Sequence, residues 1–457
     1  MKSELCLLLS ASILVLTSCR KATTDSYIKD ESAVTTDKKL EQELTQQNSW
    51  VYDQMSQQYY WYKDLPDSTG LDFKKPTNSF FNFLRSSQDQ FSWIEPNSNF
   101  SGSSLYDNYG FEYSKYSTIQ GTQVYRIILV LPDSPAQKAG LKRGNWFRIT
   151  SNQSVLSNNL LELVLGEIWQ GDFIPQKAVK LNSISLKSYT TAVSLDTIYR
   201  ISDKRIGYLV YNQFIDGEEL MENPYRAELK KLFLKFKQGN ITDFIIDLRH
   251  NPGGYLSICQ YLCGLILPNE YLGQISGYHE FNDKLAQKQF VNTGSRLEVQ
   301  KFPDELSVKE YNISRHRIYV IISKGSASAS ESLINSLEPF IEVVKVGTTT
   351  RGKGVGSWTI KDNRYKYQIQ PITFRYYNKN QQTVPDSGLV PDFLADDQSS
   401  STIYEIGDIR ELLLSTTLSK ILGIKTKSMV INKLIIKMID DLPNENRKIQ
   451  GLIQTRR

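Results

Sequence analysis

The chain has 457 residues and a formal net charge of +5, and 23% of its residues are charged while 40% are hydrophobic. This length can bury two or three hydrophobic cores, and the composition is that of an ordinary globular protein. The Lys and Arg residues are spread along the chain rather than gathered in blocks with interleaved aromatic residues, so nothing favours nucleic-acid binding.

The first residues carry a predicted export signal. Residues 5–16 form an apolar run that is too short to span a bilayer but typical of a secretory signal. The run ends in LTSC at residues 16–19, which matches a bacterial lipoprotein signal in which Cys19 becomes the lipidated first residue. A cleaved soluble-export signal with an incidental cysteine is the alternative. We therefore expect a signal peptide over residues 1–18, and a protein of the bacterial cell envelope that is anchored in the membrane by its N-terminal lipid and faces the periplasm or the cell surface.

A flexible tether and a helical domain are predicted next. Residues 19–38 are rich in Thr, Asp, Lys and Ser, as is typical of a tether. Aromatic residues then cluster, and Trp50, Met55 and Tyr59 occupy the apolar positions of a predicted helix. We expect a helical N-terminal domain over residues 39–107, in which the aromatic residues form core rather than a binding surface.

Residues 108–196 have the pattern of a β-rich domain. An apolar run at 123–131 is followed by a helix-like stretch at 134–141 and by a turn that leads into a strand at 142–150. This order resembles a PDZ domain, whose groove between a strand and a helix captures an extended chain end by strand addition.

The resemblance to a PDZ domain implies which residues would contact a bound peptide. Tyr109, Gly110 and Phe111 stand at the position of the loop whose backbone N–H groups face the peptide carboxylate. Asn145 stands where the family usually has Asp, a departure that touches a turn rather than the groove.

From residue 197 onward, strands alternate with helices. Strands are predicted at 206–214, 243–249, 317–323 and 343–347, and helices lie between them. Alternation of this kind indicates a layered α/β core, which we place at residues 197–395. Residues 396–457 contain helical segments before a basic tail and are expected to form a helical appendage.

The cysteines do not indicate a metal site or a disulfide. Of the four, only Cys259 and Cys263 lie beyond the export signal. They are four residues apart in a predicted helix and are expected to share its buried face as small apolar groups. Further ligands at metal spacing are missing from the sequence, so no metal is predicted.

Three small-residue motifs each follow a predicted strand of the core, where α/β folds gather functional groups. They are DLRHNPGG at 247–254, GSASASE at 325–331 and GTTTRGKG at 347–354. The third has the glycine and lysine spacing of a phosphate-binding loop, but Gly354 stands where that loop needs Ser or Thr to hold magnesium. Nucleotide binding is therefore the weakest of the interpretations.

Together the motifs resemble those of the C-terminal processing, or tail-specific, serine proteases, which combine a PDZ domain with a Ser/Lys catalytic core. The resemblance implies that Ser328 is the nucleophile and Lys353 the base, 25 residues apart as expected for the family. It also implies an oxyanion site made by the backbone N–H groups of Ala329 and of Gly253 or Gly254. The implied fold is a layered α/β protease core with an inserted or preceding PDZ-like β-rich domain and an N-terminal helical domain.

The chemistry of the residue types agrees with this resemblance. A serine hydroxyl is a poor nucleophile at neutral pH and needs a neighbouring base. The chain has only three histidines, and a lysine can serve instead if burial lowers its pKa. Gly352 and Gly354 would let the backbone approach closely and aim the Lys353 side chain. A pairing of Ser328 with His250 is the minor alternative.

Residue chemistry and resemblance together predict an exported, lipid-anchored serine endopeptidase that acts on unfolded or C-terminally exposed polypeptides without a metal or organic cofactor. Ser357 is a departure that bears on catalysis, because many members of the family have Gln there. It leaves open a second interpretation, a peptide-binding lipoprotein of the same fold with weak or no catalysis. The expected partners are a polypeptide substrate and the membrane.

Overall fold

The structure is a computed structural model that describes residues 31–96, 105–150, 160–183, 192–216, 223–289, 295–424, 434–440 and 452–453. Its helices are α1 Glu31–Gln58, α2 Thr77–Leu84, α3 Leu105–Tyr109, α4 Pro135–Lys138, α5 Pro224–Gln238, α6 Leu256–Ile266, α7 Asp283–Gln289, α8 Leu306–Lys309, α9 Ala329–Leu337 and α10 Leu412–Ile421. Its strands are β1 Trp93–Pro96, β2 Phe111–Ser117, β3 Gln123–Val130, β4 Trp146–Ile149, β5 Leu160–Trp169, β6 Asp172–Asn182, β7 Val193–Ile201, β8 Lys204–Tyr211, β9 Asp243–Asp247, β10 Ile275–Phe281, β11 Leu297–Lys301, β12 Arg317–Ile322, β13 Glu342–Gly347, β14 Val355–Ser357, β15 Tyr367–Gln370, β16 Ile372–Asn378, β17 Phe393–Leu394, β18 Lys437–Asp440 and β19 Leu452–Ile453.

A six-stranded sheet, here called the central sheet, has the order β17-β13-β12-β9-β8-β7. Its strands run parallel except β7, which pairs antiparallel with β8. Both faces of the sheet are apolar because helices cover both of them: α5, α6 and α9 pack on one face and α10 on the other. The layered α/β core predicted from the alternation of strands and helices is therefore present.

Helix α5 shows how local sequence fixes these elements. Asn223 caps the helix, because its side chain accepts hydrogen bonds from the N–H groups of Tyr225 and Arg226. Pro224 follows at the first helical position, where its missing N–H is no loss. The face buried against the central sheet consists of Leu229, Leu232, Phe233 and Phe236. Burial of such a side chain is worth roughly 1.5–3 kcal/mol each, so packing rather than propensity holds the helix.

A second sheet, here called the β2 sheet, is antiparallel and has the order β18-β2-β3-β4-β5-β6. It has a hydrophobic cluster of its own, which includes Tyr109, Phe111, Ile127 and Phe147. Five of its strands come from residues 111–182, and β18 comes from a distant part of the chain. A third sheet has the order β11-β10-β16-β14-β19.

The N-terminal helices share the core of the central sheet rather than forming one of their own. Trp50, Met55 and Tyr59 are buried in the same hydrophobic cluster as the inner faces of α5, α6 and α9. Strand β1 then pairs antiparallel with β15, with Trp93 opposite Gln370. The predicted aromatic core residues are therefore core, and they fix this region to the rest of the chain.

The structure differs from the predicted domain boundaries at three places. Helix α1 begins at Glu31, inside the predicted tether over residues 19–38, because the helix that carries Trp50 and Met55 continues back to that residue. The boundary after residue 196 falls inside β7, whose pairing with β8 makes it part of the central sheet. The region over residues 396–457, predicted to be helical, has one described helix, α10, and two strands, β18 and β19. Residues 434–439 read LIIKMI, and a short run rich in β-branched Ile suits a strand.

The membrane-related predictions fall largely outside this description. The predicted signal peptide over residues 1–18 and Cys19 lie outside the described residues. Within the described ranges, no helix is both long enough and apolar enough to cross a membrane.

Candidate active site

Ser328 lies at a sharp turn between β12 and α9, at the N-cap position of α9. Its backbone has φ 60° and ψ −116°, a conformation that a residue with a Cβ rarely adopts. The side chain is buried, and its Oγ makes no hydrogen bond within the described part of the chain. Ser328 and Glu331 form a capping box at the start of α9, in which the Ser328 side chain faces the Glu331 N–H.

Glu331 ties this turn to the loop that carries Lys353. Its buried carboxylate accepts hydrogen bonds from the N–H groups of Ser328 at 2.9 Å, Gly352 at 2.7 Å and Lys353 at 2.8 Å. The Thr350 hydroxyl donates a fourth. Burial raises the pKa of Glu331, and the four donors oppose that rise because they stabilise the carboxylate. Sequence reasoning missed this role, although the Ser-x-x-Glu spacing of a capping box could have indicated it.

Lys353 has the environment that a lysine base requires. It is only 1% exposed, and its Nζ lies 5.0 Å from the centre of the Phe91 ring. Burial lowers the pKa of Lys353 to about 7, although the carboxylates of Asp89 and Glu331 oppose this, and Arg351 adds to it. An amine with this pKa is about half neutral at pH 7 and can accept a proton.

The wall over Lys353 comes from the N-terminal part of the chain. Asp89 accepts hydrogen bonds from the Tyr59 hydroxyl at 2.7 Å and from the N–H groups of Phe91 and Ser92, each at 2.9 Å. Ser92 Oγ in turn accepts from the Ile372 N–H of β16 at 2.8 Å. The loop is thus held from both sides. Sequence reasoning missed Asp89 and Phe91, because they are far from the lysine in sequence and no motif marks them.

The glycine pair of the first motif lies against the turn that carries Ser328. A Cβ at Gly253, which has φ 103°, would be 2.6 Å from Ser328 Cβ and 2.8 Å from the Ala329 nitrogen. The Gly253 N–H donates to Asn251 Oδ1 at 2.9 Å. At Gly254, with φ 138°, a Cβ would meet a backbone oxygen at 2.0 Å. The backbone at both positions therefore lies too close to its neighbours to leave room for a Cβ, and only glycine fits there.

Ser357 is buried and has a polar partner. Its Oγ accepts a hydrogen bond from Gln370 Nε2 at 2.8 Å, and Gln370 Oε1 accepts one from the Thr359 hydroxyl at 2.9 Å. An amide therefore reaches this position from β15, although the chain has Ser where many proteins with this motif have Gln. The sequence around Gln370 contains no pattern that predicts its contact with Ser357.

His250 lies beside a carboxylate of the β2 sheet. Its Nδ1 is 3.1 Å from Glu112 Oε2, and both side chains are buried. Since Ser328 Oγ has no hydrogen-bond partner within the described residues, neither His250 nor Lys353 Nζ lies within hydrogen-bond distance of it in this structure. The contact with Glu112 gives the His250 ring a partner of its own in the β2 sheet.

The predicted carboxylate-binding loop stands at the start of β2. Tyr109 ends α3, Gly110 has φ 77°, and Phe111 begins the strand, with both aromatic rings buried. These residues belong to the β2 sheet, whereas Ser328 and Lys353 follow strands of the central sheet. The predicted carboxylate-binding loop and the predicted catalytic pair therefore lie on different sheets.

A buried cluster of charges joins the two sheets. Arg249, in the first motif, donates to Glu411 through two nitrogens at 2.9 Å each and to Asp247 at 2.7 Å. Arg143, which precedes β4 of the β2 sheet, donates to the carboxylate of Asp397. Sequence reasoning missed this cluster, because its partners are up to 254 positions apart.

The cysteines behave as small core residues. Cys259 and Cys263 are free and buried in α6, as the spacing predicts. Within the described ranges, no group of three or more His, Cys, Asp and Glu side chains is placed to hold a metal ion.

Comparison with known proteins gives two family matches. Residues 205–395 match the model of Peptidase family S41, and residues 46–93 match the model of the Peptidase S41 N-terminal domain. The first range contains Ser328, Glu331 and Lys353, and the second contains the loop that covers the lysine.

Curated relatives are similar over part of their length. Carboxy-terminal processing protease CtpB of Bacillus subtilis (strain 168) is 25% identical over 246 residues, which are 51% of this chain and 45% of that protein. The carboxy-terminal-processing protease of Bartonella bacilliformis is 24% identical over 281 residues, which are 59% of this chain and 58% of that protein. The chain thus spans about half the length of the curated relatives it matches.

A solved structure is similar over nearly its whole length. It is the crystal structure of a protein of Bacteroides fragilis NCTC 9343 described as an S41 protease, with a TM-score of 0.69 and 25% identity. The similarity covers 82% of this chain and 98% of that one. The mixed α/β fold is therefore shared with that protein.

Proposed function

The chain belongs to peptidase family S41, and on this basis we propose that it is a serine endopeptidase with Ser328 as nucleophile and Lys353 as general base. The observation that carries the proposal is the Glu331 carboxylate, which binds the backbone N–H groups of both residues. A shared anchor keeps the turn of the nucleophile and the loop of the base in fixed relation. A nucleophile and a base that act on the same peptide bond must be held at a fixed distance and orientation.

The proposed reaction uses the neutral form of Lys353. The amine takes the proton of Ser328 Oγ as that oxygen bonds to the carbonyl carbon of the substrate. The negative charge on the carbonyl oxygen is stabilised by backbone N–H groups of Ala329 and of Gly253 or Gly254. The Gly253 N–H already donates to Asn251 Oδ1, which favours Gly254 of the two. The lysine then gives its proton to the leaving amine, and water releases the acyl group with the lysine again as base.

We further propose that the β2 sheet captures the substrate by strand addition, with residues 109–111 at the end of the bound chain. The contact between His250 and Glu112, 3.1 Å apart, supports this proposal. It places β2 against the motif that carries Gly253, so a polypeptide on β2 lies on an element that touches the catalytic loop. An unfolded or C-terminally exposed polypeptide has the extended form that strand addition requires.

Export and lipid attachment at Cys19 remain predictions from the sequence. They would place the enzyme in the bacterial cell envelope, on the periplasmic side or the cell surface. Mass spectrometry of the mature N-terminus tests this directly. A lipidated Cys19 is expected, and an unmodified first residue at another position would end the idea.

Cleavage of casein, an unstructured protein, tests the catalytic proposal. The chain starting at Ala22 is compared with its Ser328→Ala and Lys353→Ala variants and with Lys361→Ala, which changes an exposed lysine. We expect the Ser328→Ala and Lys353→Ala variants to lose cleavage and the Lys361→Ala variant to cleave casein like the parent. The circular dichroism spectra of all versions should be unchanged. Inactivity of every version, the parent included, would leave latency, substrate choice and the alternative of a peptide-binding lipoprotein to be separated by peptide-binding assays.

A further inference from the structure

Strand β18 occupies the edge of β2 that faces away from β3. Lys437 lies opposite Ser117, Met438 opposite Tyr116 and Asp440 opposite Lys115, in antiparallel register. The other edge of β2 is fully paired with β3. Whatever adds a strand to β2 must therefore use the edge that β18 holds.

The direction of β18 is that of a captured peptide. Because the pairing is antiparallel, residue numbers in β18 rise as its partners in β2 fall from Ser117 to Lys115, toward Gly110 and Phe111. A peptide added to β2 with its chain end at the loop over residues 109–111 must run the same way. The segment and the proposed substrate thus share one edge and one polarity.

The side chains of this segment are held as those of an added strand would be. Ile436, 6% exposed, packs with Tyr116, Val124 and Trp146 of the β2 sheet. In contrast, Ile435 is 70% exposed. Neighbouring side chains of an extended strand point to opposite sides, so only every second side chain packs on the sheet. The segment is therefore held by those inward side chains and by its backbone pairing with β2.

Two further contacts lie on the side of the catalytic core. Met438 lines a cavity of about 110 Å³ together with Arg249 and His250 of the first motif. Strand β19 pairs in parallel with β14, with Leu452 opposite Gly356, and β14 begins two residues after Lys353. One region of the chain therefore pairs with the β2 edge and with the strand that leaves the catalytic lysine.

We propose that residues 434–440 occupy in cis the strand-addition edge that a substrate polypeptide uses, so that substrate binds by displacing them. This inference rests on the proposed function, since it assigns the β2 edge to substrate. The pairing is short, with three register pairs and an irregularity between Met438 and Asp440, so it is suited to exchange. If the segment holds the edge about nine-tenths of the time, it weakens the apparent affinity for a competing peptide about tenfold.

The test uses the full chain with Ser328→Ala, so that binding is read without cleavage. The probe is a fluorescein-labelled synthetic peptide with the sequence of residues 434–440, LIIKMID, followed by fluorescence polarisation. The variant Ile436→Asp with Met438→Asp removes the inward contacts of the segment. The matched control, Ile435→Asp with Ile439→Asp, places the same charges on its exposed face, where these side chains are 70% and 56% exposed.

We expect the inward variant to bind the probe about tenfold more tightly than the control. Equal affinity of the two variants for the probe would overturn the proposal. It would also be overturned if the inward variant unfolded and lost probe binding, because β18 would then be a strand that the fold requires rather than one that exchanges with substrate. Hydrogen exchange on the Ser328→Ala chain gives a second reading without the inward substitutions. Excess peptide should remove protection from residues 434–440, and protection that persists while the probe binds also overturns the inference. Both readings are independent of casein cleavage, so failure of the catalytic proposal is seen separately.

Discussion

Removing the ring of Phe91 should weaken the base in a way that pH reveals. The ring lies 5.0 Å from Lys353 Nζ and is part of the burial that holds the lysine pKa at about 7, far below the ordinary 10.5. In Phe91→Ala, water can reach the amine and favour its charged form, so the pKa rises. Because the proposed mechanism needs the neutral amine, we expect activity to be present above this pKa and to be lost as pH falls through it.

The size of the effect follows from the neutral fraction. A rise of about one unit, or 1.36 kcal/mol, lowers the neutral fraction at pH 7 from about one-half to about one-tenth. We therefore expect kcat/KM for an unstructured peptide substrate to fall about fivefold at pH 7 and to return nearly to the parent value at pH 9. The assay is the pH profile of kcat/KM between about pH 5.5 and 9.5, in which the acid limb moves to higher pH.

Replacing Asp89 should move the acid limb of the pH profile of kcat/KM to lower pH, opposite to the change expected for Phe91→Ala. Its carboxylate raises the pKa of Lys353, so Asp89→Asn removes a charge that favours the ammonium form and moves the limb to lower pH. Glu331 and Arg351 also act on the lysine and stay unchanged in both variants. Phe83→Ala, which removes a 60% exposed ring from the same region, serves as the control. A loss of activity in Phe91→Ala that is equal at every pH would refute the reasoning, since it would show a structural role alone.

Three further substitutions test how the site is held. Glu331→Gln should lower stability by about 3 kcal/mol and remove cleavage, because its amide cannot accept all the N–H donors; thermal melting and the casein assay measure both. Gly352→Ala should cost at least about 2 kcal/mol and most of the activity, because the backbone there has φ 86° and a Cβ would lie 2.1 Å from a backbone oxygen. Arg249→Met should cost about 3–5 kcal/mol by leaving the carboxylate of Glu411 buried without its partner, whereas Arg364→Met, at an exposed pair, should leave the melting temperature nearly unchanged. Melting temperatures equal to that of the parent would contradict each expected loss of stability.

The parts of the site that the sequence predicts are those in which a short motif carries its own geometry. The glycine pair, the small residues around Ser328 and the glycines beside Lys353 are recognised through the resemblance of their motifs to a protease family. The structure adds the reason for the glycines at 253, 254 and 352, where another part of the backbone approaches closely. The layered α/β core is visible in the sequence because burial on both faces gives apolar strands at regular intervals. Helix α5 could be placed by its Asn223 cap and its apolar spacing.

The parts that the sequence does not predict depend on contacts between distant segments. Phe91 and Asp89 reach Lys353 from more than 260 positions away, and a lone aromatic or acidic residue has no pattern that indicates a neighbour. The pairing of Arg249 with Glu411 has the same character. Strand β18 was missed because residues 434–440 are too short to separate a strand from a helix by periodicity, and the edge that they cover lies in another domain.

The burial that lowers the pKa of Lys353 also sets a requirement for the proposed catalysis. Ser328 is fully buried and Lys353 is only 1% exposed, yet a substrate carbonyl must come within about 3–3.5 Å of the serine oxygen. Some element must therefore move, and the elements differ in how firmly they are held. The loop with Phe91 is fixed by Tyr59, by Ser92 and by the pairing of β1 with β15. The strands β18 and β19 are held by three and two register pairs. They lie at the edges of β2 and β14, so displacing either of them breaks fewer backbone pairs than displacing β1, which has four register pairs with β15.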